Sequence, residues 1–179
     1  MKKLISLILC LVMALSLAAA AAEELPVLDF DEANIADIGG EWVLLEQFGL
    51  QMYLPDIFTL KEVPEELAAQ GCLAVMGTED MSAGITITYC PLLDGAGNQI
   101  STHADLVNYY SSNGFENIAT CLINGLEATN FLMTPDRDMM CMVYFLADGN
   151  ALSFYYTPVT NESMLALFSI VSSTVMAAE

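Results

Sequence analysis

His103 is the only histidine among 179 residues, so any chemistry run by an imidazole must be built around it. It falls in the first turn of a predicted helix, where the helix dipole disfavours its cationic form. A nucleophilic triad would need a Ser or Cys and an Asp brought from elsewhere. The chain contains neither a GxSxG elbow nor a Cys-His family signature. The expectation for His103 is a surface residue on a capped helix.

The sulfur residues are the next candidates. Beyond Cys10 the chain holds Cys72, Cys90, Cys121 and Cys141, and four cysteines allow three disulfide connectivities. The strand register described below puts Cys121 and Cys141 on opposite faces and roughly 14 Å apart at Cα. A bridge tolerates less than about 7 Å. If bridges form, Cys72 with Cys90 is the least strained pair; four buried thiols acting as small hydrophobes is the simpler expectation. No CxxC occurs, which removes a thioredoxin-like motif and a zinc ribbon. Met139-Met140-Cys141-Met142, with Met133 nearby, is a dense set of soft donors that would suit Cu(I). On a strand, alternate residues face opposite ways, so this set is expected to split and pack as core.

Carboxylates are abundant, 23 against four Lys and Arg. Glu65-Glu66, Glu79-Asp80 and Asp136 with Asp138 could in principle serve as glycosidase pairs, but all lie in turns or loop starts. Calcium suits loop oxygens better, yet Asp94-Gly95-Ala96-Gly97-Asn98 lacks the second and third oxygen ligands of an EF-hand. Gly95 and Gly97 also lack the third glycine and the helix start of a phosphate loop. A formal charge of −19 excludes nucleic acid and disfavours an anionic membrane surface. No catalytic group, cofactor or metal site is assigned.

The elements that would hold these residues follow from periodicity. Lys2 and Lys3 precede an apolar run, Leu4 to Leu17, and small residues from Ala18 to Ala22. That is the pattern of a signal peptide cleaved near Ala22, with an uncleaved anchor as the alternative. Residues 1–22 are therefore expected to be removed, leaving Lys61 and Arg137 as the only cations of a secreted or extracytoplasmic monomer. Residues 23–41 carry seven acids and no base and read as a solvated leader with a short helix over 31–38. Residues 42–179 read as one α+β domain on a mainly antiparallel sheet flanked by helices, with no later membrane span.

Strands are expected over Trp42–Leu45, Phe48–Leu54, Ile57–Val63, Cys72–Met76 and Ile85–Leu92, and a helical turn over Pro64–Gln70. A helix over Thr102–Asn113 has a capping box in Thr102 and Asp105 and a stop in Gly114. Asn124-Gly125 marks a two-residue hairpin between Ile118–Ile123 and Leu126–Met133. Met139–Leu146 follows the Thr134-Pro135-Asp136 turn, and Asp148-Gly149 starts a return strand, Ala151–Thr157. A final helix runs from Glu162 to Val175. This register sets Cys121 opposite Ala128. It expects Phe131, Met133, Cys141, Val143, Phe145, Leu152 and Phe154 on one apolar face, which should take the final helix. Cys121, Asn130, Met142, Tyr144, Ser153 and Tyr155 fall on the other.

This order of elements resembles the PsbP-like fold family, named for an extrinsic subunit of photosystem II and shared with Ran-binding import factors. The resemblance rests on Phe48-Gly49-Leu50-Gln51-Met52-Tyr53-Leu54-Pro55, the Asn124-Gly125 and Asp148-Gly149 turns, and the Ile170-Val171-Ser172-Ser173 stretch. It covers about residues 42–176. Ile57 and Phe58 stand where family members often place a Trp. The resemblance implies an antiparallel sheet between helical layers and a non-enzymatic binding or assembly role, and it transfers no functional residue.

The function expected is an exported, non-catalytic module that binds a protein or small ligand at the cell envelope or outside the cell. Trp42, Tyr109, Tyr110, Tyr155 and Tyr156 are the aromatics to inspect for a contact patch, since Tyr and Trp dominate interface hot spots; most are expected to be core. The alternatives are a metal-handling protein using carboxylates or the Met/Cys region, and a hydrolase with His103 beside a Ser or Cys.

Overall fold

Turn chemistry sets the backbone of this fold. In a computed structural model, which describes residues 25–115, 117–133 and 138–178, Asn124 (φ 49°) and Gly125 (φ 79°) both lie in the left-handed region. That is the geometry of a tight hairpin turn. It joins β9 (Ala119–Ile123) to β10 (Leu126–Met133) with Cys121 opposite Ala128, as the sequence requires. Asn124 does more than turn the chain. Its side-chain amide donates to the carbonyls of Ser173 and Val175 at 2.8 Å each, and its Oδ1 accepts from the Phe30 N–H. One residue therefore ties the hairpin to both ends of the domain.

The main sheet has eight strands in the order β1-β9-β10-β11-β12-β6-β5-β4. Besides β9 and β10 it contains β1 (Val27–Leu28), β4 (Thr59–Lys61), β5 (Cys72–Gly77), β6 (Gly84–Cys90), β11 (Met139–Phe145) and β12 (Ala151–Thr157). Neighbours are antiparallel except β1, which pairs parallel with β9. Within the 23–41 segment, Val27 and Leu28 add a strand to the sheet. A second sheet, β13-β3-β2, is built from β2 (Gly40–Leu45), β3 (Leu50–Pro55) and β13 (Met176–Ala177). A two-stranded ribbon joins β7 (Leu92–Leu93) to β8 (Gln99–Ile100).

The described residues also form three α-helices: α1 (Glu65–Ala68), α2 (His103–Ser112) and α3 (Glu162–Ser173). Thr102 caps α2, accepting from the Asp105 N–H at 3.1 Å and donating to its carboxylate at 2.7 Å. Asn161 caps α3 by accepting from the N–H groups of Ser163 and Met164. Such caps satisfy donors that a helix cannot satisfy itself. At its far end α3 is tied to β3: Thr174, fully buried, accepts from the Tyr53 N–H at 2.9 Å.

The register of β12 corrects the sequence reading. The loop before it has three residues, Ala147 to Gly149, closed by Leu146 and Asn150, with Gly149 at φ 82°. Phe145 therefore faces Ala151 rather than Leu152. One residue of slip turns every side chain of a strand over. Ser153 and Tyr155 join Phe131, Cys141 and Val143 on one face; Leu152, Phe154 and Tyr156 join Met140, Met142 and Tyr144 on the other. The second face is the more apolar, and it takes α3 and the small sheet in a core that includes Phe168, Val171, Met52 and Leu54. The first face is covered instead by α2, through Leu106, and by Ile100. Residues 1–22, Thr134, Pro135, Asp136 and Arg137 lie outside the described residues.

Candidate functional site

A cleft of about 580 Å³ wraps the ends of β10 and β11 where α2 begins. Its apolar wall comes from Phe48, Leu50, Leu126, Tyr144, Phe145 and Leu146, and its polar rim from Ser101, Thr102, His103 and Glu127. Three local devices build it. The Thr102 cap aims the first turn of α2 at the sheet, so His103 sits over β10. The Asn124-Gly125 turn places Leu126 and Glu127 at the start of β10. Gly49 (φ 61°) ends the short helical turn Glu46–Phe48, presenting Phe48 and then Leu50.

His103 is not the surface residue expected from its place at a helix start. It is half-buried, and its ring meets Phe145 edge-on at 5.0 Å. Its Nδ1 lies 2.8 Å from Oγ1 of the fully buried Thr129, which in turn lies 2.9 Å from Oγ1 of Thr120. Burial lowers the imidazole pKa, and the nearby Glu127 carboxylate works in the opposite direction. With Nδ1 committed to Thr129, only Nε2 is left to serve a ligand. The hydrolase alternative needed a Ser or Cys beside this ring. The hydroxyl there belongs to Thr129, with no surface open to a substrate, and Ser101 lines the cleft without a hydrogen bond to the imidazole.

The remaining candidates are engaged locally. Asp80 accepts from the hydroxyls of Ser82 and Thr78 and from the Ser82 N–H, which hold its pKa down to about 2. Asp94 accepts from Ala96 N–H, Asn98 N–H and the Asn98 amide. Asp138 accepts from Val159, from the Thr160 backbone and from the Thr160 hydroxyl. Asp148 accepts from Tyr89 OH and from Asn150. These carboxylates staple their own loops or neighbouring ones. No group of three or more His, Cys, Asp or Glu gathers as a metal shell among the described residues. Cys72, Cys90, Cys121 and Cys141 are free thiols. Burial pushes Cys121 up to about 11 and Cys141 further, so both stay protonated and poorly nucleophilic at neutral pH. The methionines divide by face: Met139 shares the α2 side with Cys141, while Met140 and Met142 point under α3.

The five aromatics do not form one patch. Tyr156 has no surface to offer a partner: at 0% exposure it lies under α3, 5.4 Å from the Phe168 ring. Its neighbour Tyr155 points to the opposite face because alternate strand residues must, and it is half-buried against the α2 cluster. Tyr109 and Tyr110 are half-buried on α2, where Tyr110 packs on Phe131 with ring centres 4.3 Å apart. Trp42 is 41% exposed on the outer face of the small sheet, held edge-on by Phe30 and Tyr53. Sequence reasoning missed Thr129 and Glu127. The available signal was the run of polar residues Glu127, Thr129 and Asn130 within the strand Leu126–Met133, with Thr129 on the same face as Phe131 and Met133.

No family model and no curated protein matches this chain. It is similar in structure to cyanobacterial PsbP (CyanoP) from Synechocystis sp. PCC 6803, solved in solution. The TM-score is 0.53 at 13% identity, covering 90% of this chain and 99% of that one. The chain has a PsbP-like fold. The expected α+β class follows with it, a mainly antiparallel sheet layered with helices. Within this PsbP-like fold one outer layer combines α3 with the small sheet, a feature the strand pattern alone did not announce. No helix among the described residues is long and apolar enough to cross a membrane.

Proposed function

We propose that this protein is an exported, non-catalytic binding or assembly module that seats its ligand or partner in the cleft between the start of α2 and the ends of β10 and β11. The observation that carries this reading is the state of the cleft's polar groups. His103 is held by a buried threonine hydroxyl rather than by a nucleophile, and the wall around it is apolar. Such a site gains affinity from burial and orientation from a few polar groups. The PsbP-like fold supports the reading as an analogy, and a fold by itself does not specify a role. The basic-then-apolar start of the sequence supports export.

The test is a native mass spectrum of the chain recovered outside its host's cells. The expected species begins near Glu23 and carries an added mass. A Leu126→Trp variant, which fills the cleft, should lose that mass while melting within a few degrees of the parent. A chain retained in cells with its first 22 residues intact would overturn export. Turnover of ester or peptide substrates that disappears in His103→Ala would overturn the non-catalytic reading.

A further inference from the structure

We infer that the free edge of β2 is a docking edge for an extended, basic segment of another protein, which adds a fourth strand to the small sheet. β2 pairs with β3 along Gly40–Leu45 in an unbroken antiparallel register, and no described strand lies on its other side. Alternate N–H and C=O groups of such a strand point outward unpaired. Six residues span roughly 20 Å, enough to receive a strand.

The other edges of the two sheets are blunted in familiar ways. β4 has three residues and carries Lys61, and its neighbour β5 is bulged between Cys72 and Ala74. β1 and β13 have two residues each. β2 alone among these edges is long, regular and free of Lys and Pro. Beside this edge, on the sheet's outer face, stand Trp42 and Leu44, 41% and 51% exposed. Trp42 is already held by Phe30 and Tyr53, with ring centres 5.6 and 5.7 Å away. A pre-set aromatic next to an open ladder is what strand addition uses: backbone bonds for affinity, side-chain contacts for selectivity.

Charge names the occupant. Residues 25–60 contain Asp29, Asp31, Glu32, Asp37, Glu41, Glu46 and Asp56 and no Lys, Arg or His. A second copy would bring an identical acidic surface against this one, so self-pairing is opposed by like charge. A segment with alternating apolar residues and Lys or Arg at its ends meets both requirements. None of the β2 residues lines the cleft, so this inference and the cleft reading stand or fall separately.

Trp42 is the only tryptophan in the chain, so its emission reports on this edge without a label. The probe is a synthetic peptide with a Val-Thr-Val-Thr-Val core and two Lys at each end. It should shift Trp42 emission to the blue saturably, and its affinity should fall about ten-fold or more towards about 0.5 M salt. The same core flanked by Glu should not bind. N-methylation of the amides on one edge of the peptide should weaken binding at least about ten-fold, with the opposite edge tolerant. Because these controls alter only the peptide, folding of the protein is not at issue. A flat emission titration, indifference to flank charge, indifference to N-methylation, or concentration-dependent dimerisation of the chain alone would each overturn the inference.

Discussion

The two faces of the main sheet are covered by different chemistry. Under α3 and the small sheet, Met142, Leu152, Phe154 and Tyr156 meet Phe168 and Val171 in a continuous apolar core, and every one of these residues is 0–1% exposed. Under α2 the buried set is smaller, built on Ile100, Leu106, Phe131 and Val143, and a polar chain of His103, Thr129 and Thr120 runs along its edge. The first face is organised for stability. The second gives up part of its apolar contact to hold an imidazole at the mouth of a cleft.

The largest expected effect sharpens that contrast. Phe168→Ala should cost about 3–5 kcal/mol, because its ring lies between Phe58 and Tyr156. Leu106→Ala, equally buried on α2, should cost about 2–3 kcal/mol. Denaturant midpoints at unchanged slope give both values, and the reverse order would break the comparison.

Thr129→Val comes next, at about 1–2 kcal/mol. It keeps the shape but leaves the half-buried His103 and Thr120 without their shared hydroxyl. The imidazole resonances in NMR should shift with it, whereas Ser169→Ala, beneath the other face, should leave them unmoved. Tyr156→Phe should then be neutral or stabilising by up to about 1 kcal/mol, since its buried hydroxyl meets no hydrogen-bond partner among the described residues. A clear loss in thermal melting would mean that the apolar face depends on a polar contact after all.

The smallest effect is a pH dependence confined to the α2 face. Burial depresses the His103 pKa, so the unfolded chain binds the proton more readily than the folded one. The stability that neutral His103 contributes is therefore present above the ordinary value of 6.5 and is lost as pH falls below it. Melting temperatures of the parent should decline in that window relative to His103→Gln, and parallel curves would show that the imidazole is not buried as described.

Much of this was legible where the determinants are local. The Thr102–Asp105 box, the Asn124-Gly125 turn and the span of β10 all appear where the residues require them. The alternation of Leu152, Phe154 and Tyr156 was also readable, but its direction was not. That depended on a three-residue loop where the Asp148-Gly149 pair suggested two. Strand β13 is too short for periodicity to find and exists because β3 is there to pair with it.

By itself, then, the sequence determined the elements, their caps, their tight turns and an acidic surface, because each depends on neighbours a few residues apart. Tertiary structure alone decided which face each strand turned to α2 or α3, why Tyr156 is buried while Trp42 meets solvent, and what holds His103. Those outcomes rest on partners far apart in the chain, 26 residues for His103 and Thr129 and 121 for Tyr53 and Thr174. Only closure of the whole sheet brings such groups within hydrogen-bonding reach.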